Sequence, residues 1–281
     1  MLAGSLQMPG ATDQLRQDLD STKGTGMARR TRALTADGGA PSVPGAAPEA
    51  APKRPRGERR KLATRASLLN AAFKLMAERG IDAIAISEIT EAADVGAGSF
   101  YNHFESKEAI HAAVTQLVFD QFADALEEHV GQLSDPAEVI AVCVRQTIAR
   151  AAREPDWGRF LLREGYSGRA LSQGLGPRLR RDIRAGVASA RLETFDPALC
   201  FAAVGGTILS AVASQVRAPR AQRNDELTLR GPDIPERTAA MVLVILGLSH
   251  EEAKRVAMRP LPATRTHSAA SVGAKSRTHA G

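Results

Sequence analysis

The side chains with the clearest binding chemistry lie at residues 97–103. Ser99 and Tyr101 carry hydroxyl groups that can donate hydrogen bonds to phosphate oxygens. Asn102 and His103 are the side chains of this run best able to hydrogen-bond with base edges. An α-helix fits the major groove of DNA, and residues near its N-terminus reach the bases. If the run is helical, it therefore predicts a DNA-reading surface.

Residues around this run extend the predicted surface. Gly98 has no side chain, so protein backbone and DNA can approach closely there. Lys107 lies at the start of the next predicted helix, where its charge and the helix dipole both favour a phosphate. The predicted DNA-binding residues are Ser87, Ala97, Gly98, Ser99, Tyr101, Asn102, His103, Lys107, Arg60 and Lys61.

Two short predicted helices position these side chains. The first begins with Ser87 as N-cap and Glu88 in its first turn, and the second covers residues 97–103. Residues 94–96 (Asp-Val-Gly) predict a tight turn between them, because Asp tolerates the left-handed backbone region and Gly adopts it readily. Apolar residues stand where the core of a helix-turn-helix requires them, at Ile86, Ile89, Val95, Phe100 and Phe104. We therefore predict a helix-turn-helix at about residues 86–104.

Longer helices are predicted on both sides of this motif. Apolar residues recur at helical spacing from near Arg59 to Gly80, and glycine suits the position just after a helix. Ser106 is a good N-cap for a long helix whose apolar residues continue to Leu126. The helix-turn-helix is thus the second half of a larger N-terminal unit.

This part of the sequence resembles the N-terminal domain of the TetR family of repressors. The matching residues are Arg65, residues 71–80, residues 87–89 and residues 92–107. The remainder of the chain resembles the family only in helical content and length. Many members have a basic residue where this chain has Ala97, and glycine where it has Asp94. We take the basic stretch at residues 53–61 as a compensating arm that reaches into a minor groove.

The resemblance implies an all-α fold, with an N-terminal three-helix helix-turn-helix DNA-binding domain and a C-terminal helical ligand-binding and dimerisation domain. It also implies a homodimer whose two heads bind a palindromic double-stranded DNA operator about one DNA turn apart. A small-molecule effector, which the sequence does not identify, would release the DNA. We expect a cytoplasmic, ligand-responsive repressor. The alternatives are a transcriptional activator and a helical adaptor that has lost DNA binding.

Composition divides the chain into four expected segments. These are a disordered N-terminal extension at residues 1–56, the DNA-binding domain at 57–104, the ligand-binding and dimerisation domain at 105–258 and a disordered tail at 259–281. Residues 1–61 hold 11 basic and 6 acidic residues, and residues 259–281 hold 4 basic and none acidic, although the whole chain carries only +6. The positive charge therefore lies in the expected tails, which suits either flexible arms beside a polyanion or merely solvated termini.

Breaks at glycine and proline divide the body into further predicted helices. They lie near residues 136–153, 156–165, 177–192, 197–217 and 235–257, with a polar loop at 218–233. Residues 198–216 carry no charge and many small side chains, and residues 239–248 are apolar nearly all round. We predict that the helices near 197–217 and 235–257 form the dimer interface as a four-helix bundle. A membrane span is the weaker alternative for the first, because its hydrophobicity is only moderate.

An effector pocket is predicted in the body. The candidate lining residues are Phe119, Phe122, Cys143, Trp157, Phe160 and Tyr166. Trp157 and Tyr166 form the preferred pair, since each combines apolar area with a polar group. Ordinary core packing is the alternative for all of these residues.

No catalytic, metal or cofactor site is predicted. The sequence has no evident nucleophile–base pair or phosphate-binding loop, and its six histidines lack ligand spacing. The two cysteines, Cys143 and Cys200, lie in apolar helical context and are expected to be reduced. We therefore expect no enzyme activity and no cofactor.

Overall fold

The protein is all-helical in the part of the chain that its structure, a computed structural model, describes: residues 56–172, 174–216 and 229–262. Within these ranges there are eleven helices and no strand. They are α1 (Arg56–Arg79), α2 (Ile86–Ala92), α3 (Ala97–Tyr101), α4 (Lys107–Val130), α5 (Pro136–Arg153), α6 (Pro155–Glu164), α7 (Gly168–Ser172), α8 (Leu175–Ala188), α9 (Pro197–Val216), α10 (Ile234–Ile245) and α11 (His250–Ala257). This confirms the all-α prediction. Most of both predicted tails and residues 218–228 of the predicted loop lie outside the described ranges.

Helices α1 to α3 form a small head around one apolar cluster. On one face α1 buries residues including Leu68 and Phe73. Ile89 of α2 and Phe100 of α3 are fully buried in the same cluster. Gly80 ends α1 with a φ of 80°, in the left-handed region that glycine adopts without steric cost.

The N-terminus of α2 differs from the prediction, because Ser87 is not its N-cap. Ala85 holds that position, and its backbone N–H donates to the Glu88 carboxylate at 2.7 Å. The acidic side chain reaches back to the chain before the helix, as in half of a capping box. Ser87 instead lies in the first helical turn with its side chain exposed.

The turn between α2 and α3 also differs in detail. Asp94 takes the left-handed conformation with a φ of 53°. Gly96 has a φ of −64° and is the N-cap residue of α3, so the expectation that it uses the left-handed region is wrong. Asn102 is the C-cap, which ends α3 at Tyr101, two residues earlier than predicted.

Helix α4 connects the head to the body. The Ser106 side chain accepts a hydrogen bond from the Ala109 N–H at 3.1 Å, which confirms the predicted N-cap. Buried residues then continue along the helix from Ile110 to Val130. One end of α4 packs against α1, and further along it packs against α5, α7 and α8.

The remaining helices form the body around α5. This helix packs against α4, α6, α8, α9, α10 and α11. Asp135 caps it and Pro136 lies in its first turn, where a missing N–H costs no hydrogen bond. Its buried face includes Ile140, Val144 and Ile148.

The single helix predicted at residues 235–257 is two helices, α10 and α11. Gly247 separates them with a φ of 92°, and a Cβ there would lie 2.8 Å from Glu193. The Ser249 side chain then accepts from the Glu252 N–H at 3.3 Å and starts α11. The prediction was wrong because apolar residues continue at helical spacing across this turn. Sequence reasoning also missed α7.

Helix α9 is apolar but only partly buried, since most of its residues are half-buried or exposed. Among the described residues it is the one helix long and apolar enough to cross a membrane, with a mean hydropathy of 1.7 in its most apolar stretch. Only 22% of that stretch is buried within the chain. Length and composition are weak evidence for a membrane span, because helices of soluble proteins pass the same test.

Asp135 ties together distant parts of the body. Its carboxylate lies 2.9 Å from the Arg191 guanidinium and 3.3 Å from that of Arg259, and it accepts from the Ala137 N–H at 3.0 Å. Burial alone would raise the pKa of Asp135, but the hydrogen bonds from Arg191 and Ala137 and the charges of Arg191 and Arg259 lower it below its usual value. A carboxyl with a lowered pKa stabilises the fold above its unfolded pKa, and this stabilisation is lost as pH falls through the folded pKa.

We expect Asp135→Asn to lower the free energy of unfolding by about 2 kcal/mol at pH 7, because an amide can still cap α5 but cannot pair with guanidinium groups. The difference from wild type should shrink as the pH falls below about 4, where the carboxyl of the unfolded chain becomes protonated, and it should be lost once the pH passes the lowered pKa of the folded carboxyl. Urea denaturation followed by circular dichroism at several pH values measures the free energy of unfolding of both proteins. A difference that does not change with pH would contradict the role given to the charge.

Candidate DNA-binding surface and effector cavity

Helix α3 presents most of its predicted reading residues to solvent. Phe100 anchors the helix, since its side chain is fully buried in the head. Of the predicted DNA-binding residues in this region, Ser99 and His103 are half-buried. The exposed ones are Ala97, Gly98, Tyr101 and Asn102.

Tyr101 is an exposed aromatic residue that is nevertheless held in place. Its ring meets that of Phe100 at a centroid distance of 5.4 Å and an interplanar angle of 80°. The side chain remains 64% exposed. An edge-to-face contact fixes such a ring while its hydroxyl stays available for a hydrogen bond.

Arg65 of α1 holds the segment that follows α3. Its guanidinium carbon lies 4.3 Å from the ring centroid of Phe104, and its Nη1 donates to the His103 carbonyl oxygen at 3.1 Å. Burial lowers the pKa of His103, and the positive charges of Arg65 and Lys61 lower it further. The His103 imidazole is therefore neutral at pH 7 and offers one donor and one acceptor.

Lys107 is partly engaged within the head. Its Nζ donates to the Ile84 carbonyl oxygen at 3.2 Å, which holds the segment before α2 against the start of α4. An ammonium group has three donors, so this bond leaves capacity for another acceptor. Lys107 is half-buried, whereas Ser87, Arg60 and Lys61 are exposed on α2 and α1.

The body contains a cavity of about 130 Å³. Its walls come from helices α4 to α9 and from the segment between α6 and α7. The apolar part of the lining includes Phe119, Ile140, Leu161, Leu175 and Phe201. Such a space suits a small and largely apolar molecule.

Three of the predicted pocket residues line this cavity, namely Phe119, Cys143 and Tyr166. The other three, Phe122, Trp157 and Phe160, lie outside its lining, so the preferred pair of Trp157 and Tyr166 does not meet in this cavity. The Phe122 and Trp157 rings pack edge to face at 4.7 Å. All three are at most 1% exposed, because they fill the core between the helices instead.

One wall of the cavity is charged, and sequence reasoning missed it. Glu127 on α4 faces three residues of α8, which are Arg178, Arg181 and Asp182. Glu127 Oε1 lies 2.6 Å from Arg181 Nη1 and 3.3 Å from Arg178 Nε. Arg181 Nη2 also lies 2.9 Å from Asp182 Oδ1. In the sequence these residues resemble the solvated face of a helix, and only their long-range pairing reveals the site.

Burial shapes the protonation of this wall. It raises the pKa of Asp182, and the hydrogen bond and charge of Arg181 only partly offset the effect. Burial also raises the pKa of Cys143 to about 12, so its sulfur is a thiol at pH 7. The cavity thus places carboxyl, guanidinium and thiol groups beside an apolar wall.

Comparisons with known proteins agree with this arrangement. A family model described as "Bacterial regulatory proteins, tetR family" matches residues 68–114, and one described as "Tetracyclin repressor-like, C-terminal domain" matches residues 135–259. The solved structure of RolR in complex with resorcinol is 34% identical, covers 74% of this chain and 99% of RolR, and has a TM-score of 0.54. The chain belongs to the TetR family. It is therefore a transcriptional regulator with a helix-turn-helix for DNA.

Two curated relatives, both named as helix-turn-helix-type regulators, match over shorter stretches. The chain is 39% identical over 72 residues to the transcriptional repressor DhaR of Mycobacterium sp. (strain GP1). This stretch is 26% of this chain and 36% of DhaR. The chain is also 26% identical over 108 residues to the uncharacterized regulator YvdT of Bacillus subtilis (strain 168). This second stretch is 38% of this chain and 54% of YvdT. The chain thus matches about a third to a half of the length of these relatives.

We expect Arg65→Met to raise the pKa of His103, because the substitution removes a positive charge beside the imidazole. NMR titration of the histidine ring signals in wild type and variant measures the change. Arg59→Met, which removes an exposed arginine from the same helix, is the matched control and should leave the His103 titration unchanged. An identical His103 pKa in wild type and Arg65→Met would refute the charge effect.

Proposed function

We propose that this TetR-family regulator is a ligand-responsive repressor, which binds a palindromic operator as a homodimer and is released by a small molecule. The observation that carries the proposal is the course of α4 (Lys107–Val130). The helix begins beside the DNA-reading residues, and its second half lines the cavity. A change in the cavity therefore has a direct structural route to the head. We keep the division into a head at residues 57–104 and a body at residues 105–258.

On the DNA side, α3 enters the major groove. Asn102 reads a base edge, and neutral His103 offers a donor and an acceptor beside it. Tyr101, Ser99 and Lys107 bind phosphates and fix the register. The exposure of Asn102 and Tyr101 and the edge-on support from Phe100 favour these roles.

The proposed dimer interface consists of α9 and α10. In α9 the exposed residues Leu199, Ala202 and Ala203 form a narrow apolar stripe of mostly small side chains. In α10, Met241 is 55% and Val244 is 37% exposed, although both are apolar. Such helices bury this surface when two copies form a four-helix bundle. Burial of α9 in such a dimer fits a cytoplasmic protein, in which this helix does not span a membrane.

The proposed effector is a single hydroxylated aromatic ring. RolR, whose structure holds resorcinol, supports this chemistry. Size supports it as well, since an apolar cavity of about 150 Å³ holds one benzene ring and this cavity is about 130 Å³. The ring would lie against Phe119 and Leu161, and a phenolic O–H would donate to Asp182.

We expect Tyr101→Ala and Lys107→Ala to weaken binding to all DNA sequences alike, because they remove contacts to phosphates. Asn102→Ala should instead relax the preference at one operator position, where discrimination falls by about 1–3 kcal/mol. Footprinting on the upstream intergenic DNA locates the operator, and titration against single-base operator variants measures both effects. Equal loss of affinity for every sequence in Asn102→Ala would overturn the reading role.

We expect Asp182→Asn to reduce the sensitivity of operator release to resorcinol by about tenfold or more, because a charge-assisted hydrogen bond is replaced by a weaker one. Operator affinity without resorcinol should stay unchanged. Fluorescence anisotropy of a labelled operator, titrated with resorcinol, measures both. Asp156→Asn is the matched control, since that carboxyl lies on α6 outside the cavity lining. If resorcinol does not release wild-type protein from its operator, the proposed effector class is wrong.

A further inference from the structure

Helix α6 (Pro155–Glu164) touches both the cavity and the head. Leu161 lines the cavity, and so does Gly165 directly after the helix. Helix α6 also packs against α1, the first helix of the head. It is therefore a second connection between the two units, alongside α4.

An aromatic chain runs through this connection. The Phe160 ring lies 5.7 Å from that of Phe119, which lines the cavity, and 5.4 Å from that of Phe73 on α1. Phe160 is fully buried, and the other two rings are at most 3% exposed. Close-packed side chains transmit displacement to their neighbours. Away from the cavity, Phe119 packs on Phe160 and Phe160 packs on Phe73, so these rings give a packed route from the cavity to α1.

Arg163 attaches α6 to the end of α1 by polar contacts. Its Nε donates to the Ala77 carbonyl oxygen at 3.2 Å, and its Nη2 donates to that of Glu78 at 2.7 Å. The last four carbonyls of a helix have no intrahelical donor, and a cation there also opposes the helix dipole. Arg163 is thus a cap for α1 that is supplied by the body rather than by the head itself.

A second contact ties α6 to α4 just beyond the head. Glu164 Oε1 lies 3.1 Å from His111 Nε2, at ion-pair distance but without the geometry of a hydrogen bond. Glu164 is 8% exposed. Helices α1, α4 and α6 therefore meet at one junction, and Arg163 is the group that bonds to α1 there.

We propose that Arg163 is a positioning residue that fixes the orientation of the head on the body and passes effector binding from α6 to α1. This inference rests on the proposed function for its effector and its operator. Phe160 supplies the rigid contact, and Arg163 supplies the directional one. Without Arg163 the head keeps its buried residues and its reading residues but is no longer held at one angle to the cavity.

The first test compares wild type with Arg163→Met, which keeps the length of the side chain but removes its donors. The measured quantity is the ratio of operator Kd with saturating resorcinol to operator Kd without it. We expect this ratio to fall by about fivefold or more in Arg163→Met, while the Kd of the protein for resorcinol changes little. Arg163→Lys, which can still bond to one carbonyl, should restore part of the ratio.

Arg169→Met is the matched control, because it removes an exposed arginine from α7, which follows α6. It should leave the ratio unchanged. Circular dichroism checks that all variants are equally folded at the assay temperature. An unchanged ratio in Arg163→Met would overturn the proposal.

A second test needs no effector. It compares binding to the operator with binding to versions that have one or two base pairs inserted between the half-sites. Wild type and Arg169→Met should reject the altered spacings, whereas Arg163→Met should tolerate them because its heads are less fixed. If Arg163→Met rejects them as strongly as wild type, Arg163 does not position the head, whatever resorcinol does. Failure of resorcinol to act on wild type would refute only the proposed effector.

Discussion

One continuous helix, α4, runs from the head into the body within a single hydrophobic core, and the rest of the structure depends on this. Its 24 residues span about 36 Å at 1.5 Å per residue. Ile110 and Val114 lie near its head end, and Phe119 and Leu126 lie in the body. Helices α2, with 7 residues, and α3, with 5, are too short to persist in water by themselves, so they depend on packing within the head. Lys107 of α4 also bonds to the Ile84 carbonyl just before α2. The helix that lines the cavity therefore helps to hold the DNA-reading surface in shape.

The head was predictable because its signals are local. Ser106 as N-cap, Gly80 as the end of α1 and the buried positions of Ile89 and Phe100 all follow from residue type and short spacing. The errors are local as well. Ser87 had the right side chain for an N-cap, but α2 begins at Ile86 with Ala85 as its N-cap, and the Ala85 N–H donates to Glu88. Residue type alone does not fix the residue at which a helix begins.

The body was less predictable because its site is assembled over long distances. Sequence reasoning placed α5, α6 and α9 nearly correctly from their proline and glycine boundaries. It could not separate aromatic residues that fill the core from those that border a cavity. Trp157 and Phe122 pack on each other with Arg150 above both rings, while Phe119 on the same helix as Phe122 reaches the cavity. That difference depends on helix rotation and crossing, which apolar spacing does not encode.

The contacts that hold α4 in place differ in the free energy needed to break them. Its aromatic contact to α6 is fully buried, and disturbing it costs packing in a close-packed core. Its ion pairs to α8 join Glu127 and Asp124 to Arg178 and Arg181, and Asp124 is 69% exposed. Exposed ion pairs contribute about 0–1 kcal/mol each, so they rearrange at little cost.

A ligand that donates a hydrogen bond to Asp182 or accepts one from Arg181 therefore acts on the contacts of α4 that yield most easily. The contact of Phe119 with Phe160 of α6 stays close-packed, and α6 in turn contacts the head through Phe73 and the carbonyls of Ala77 and Glu78. Under the proposed function, a shift of α4 at its exposed ion pairs is passed through α6 to the head and changes the angle of the head. The two heads of the proposed dimer are sensitive to this angle, because the half-sites of one operator have a fixed spacing.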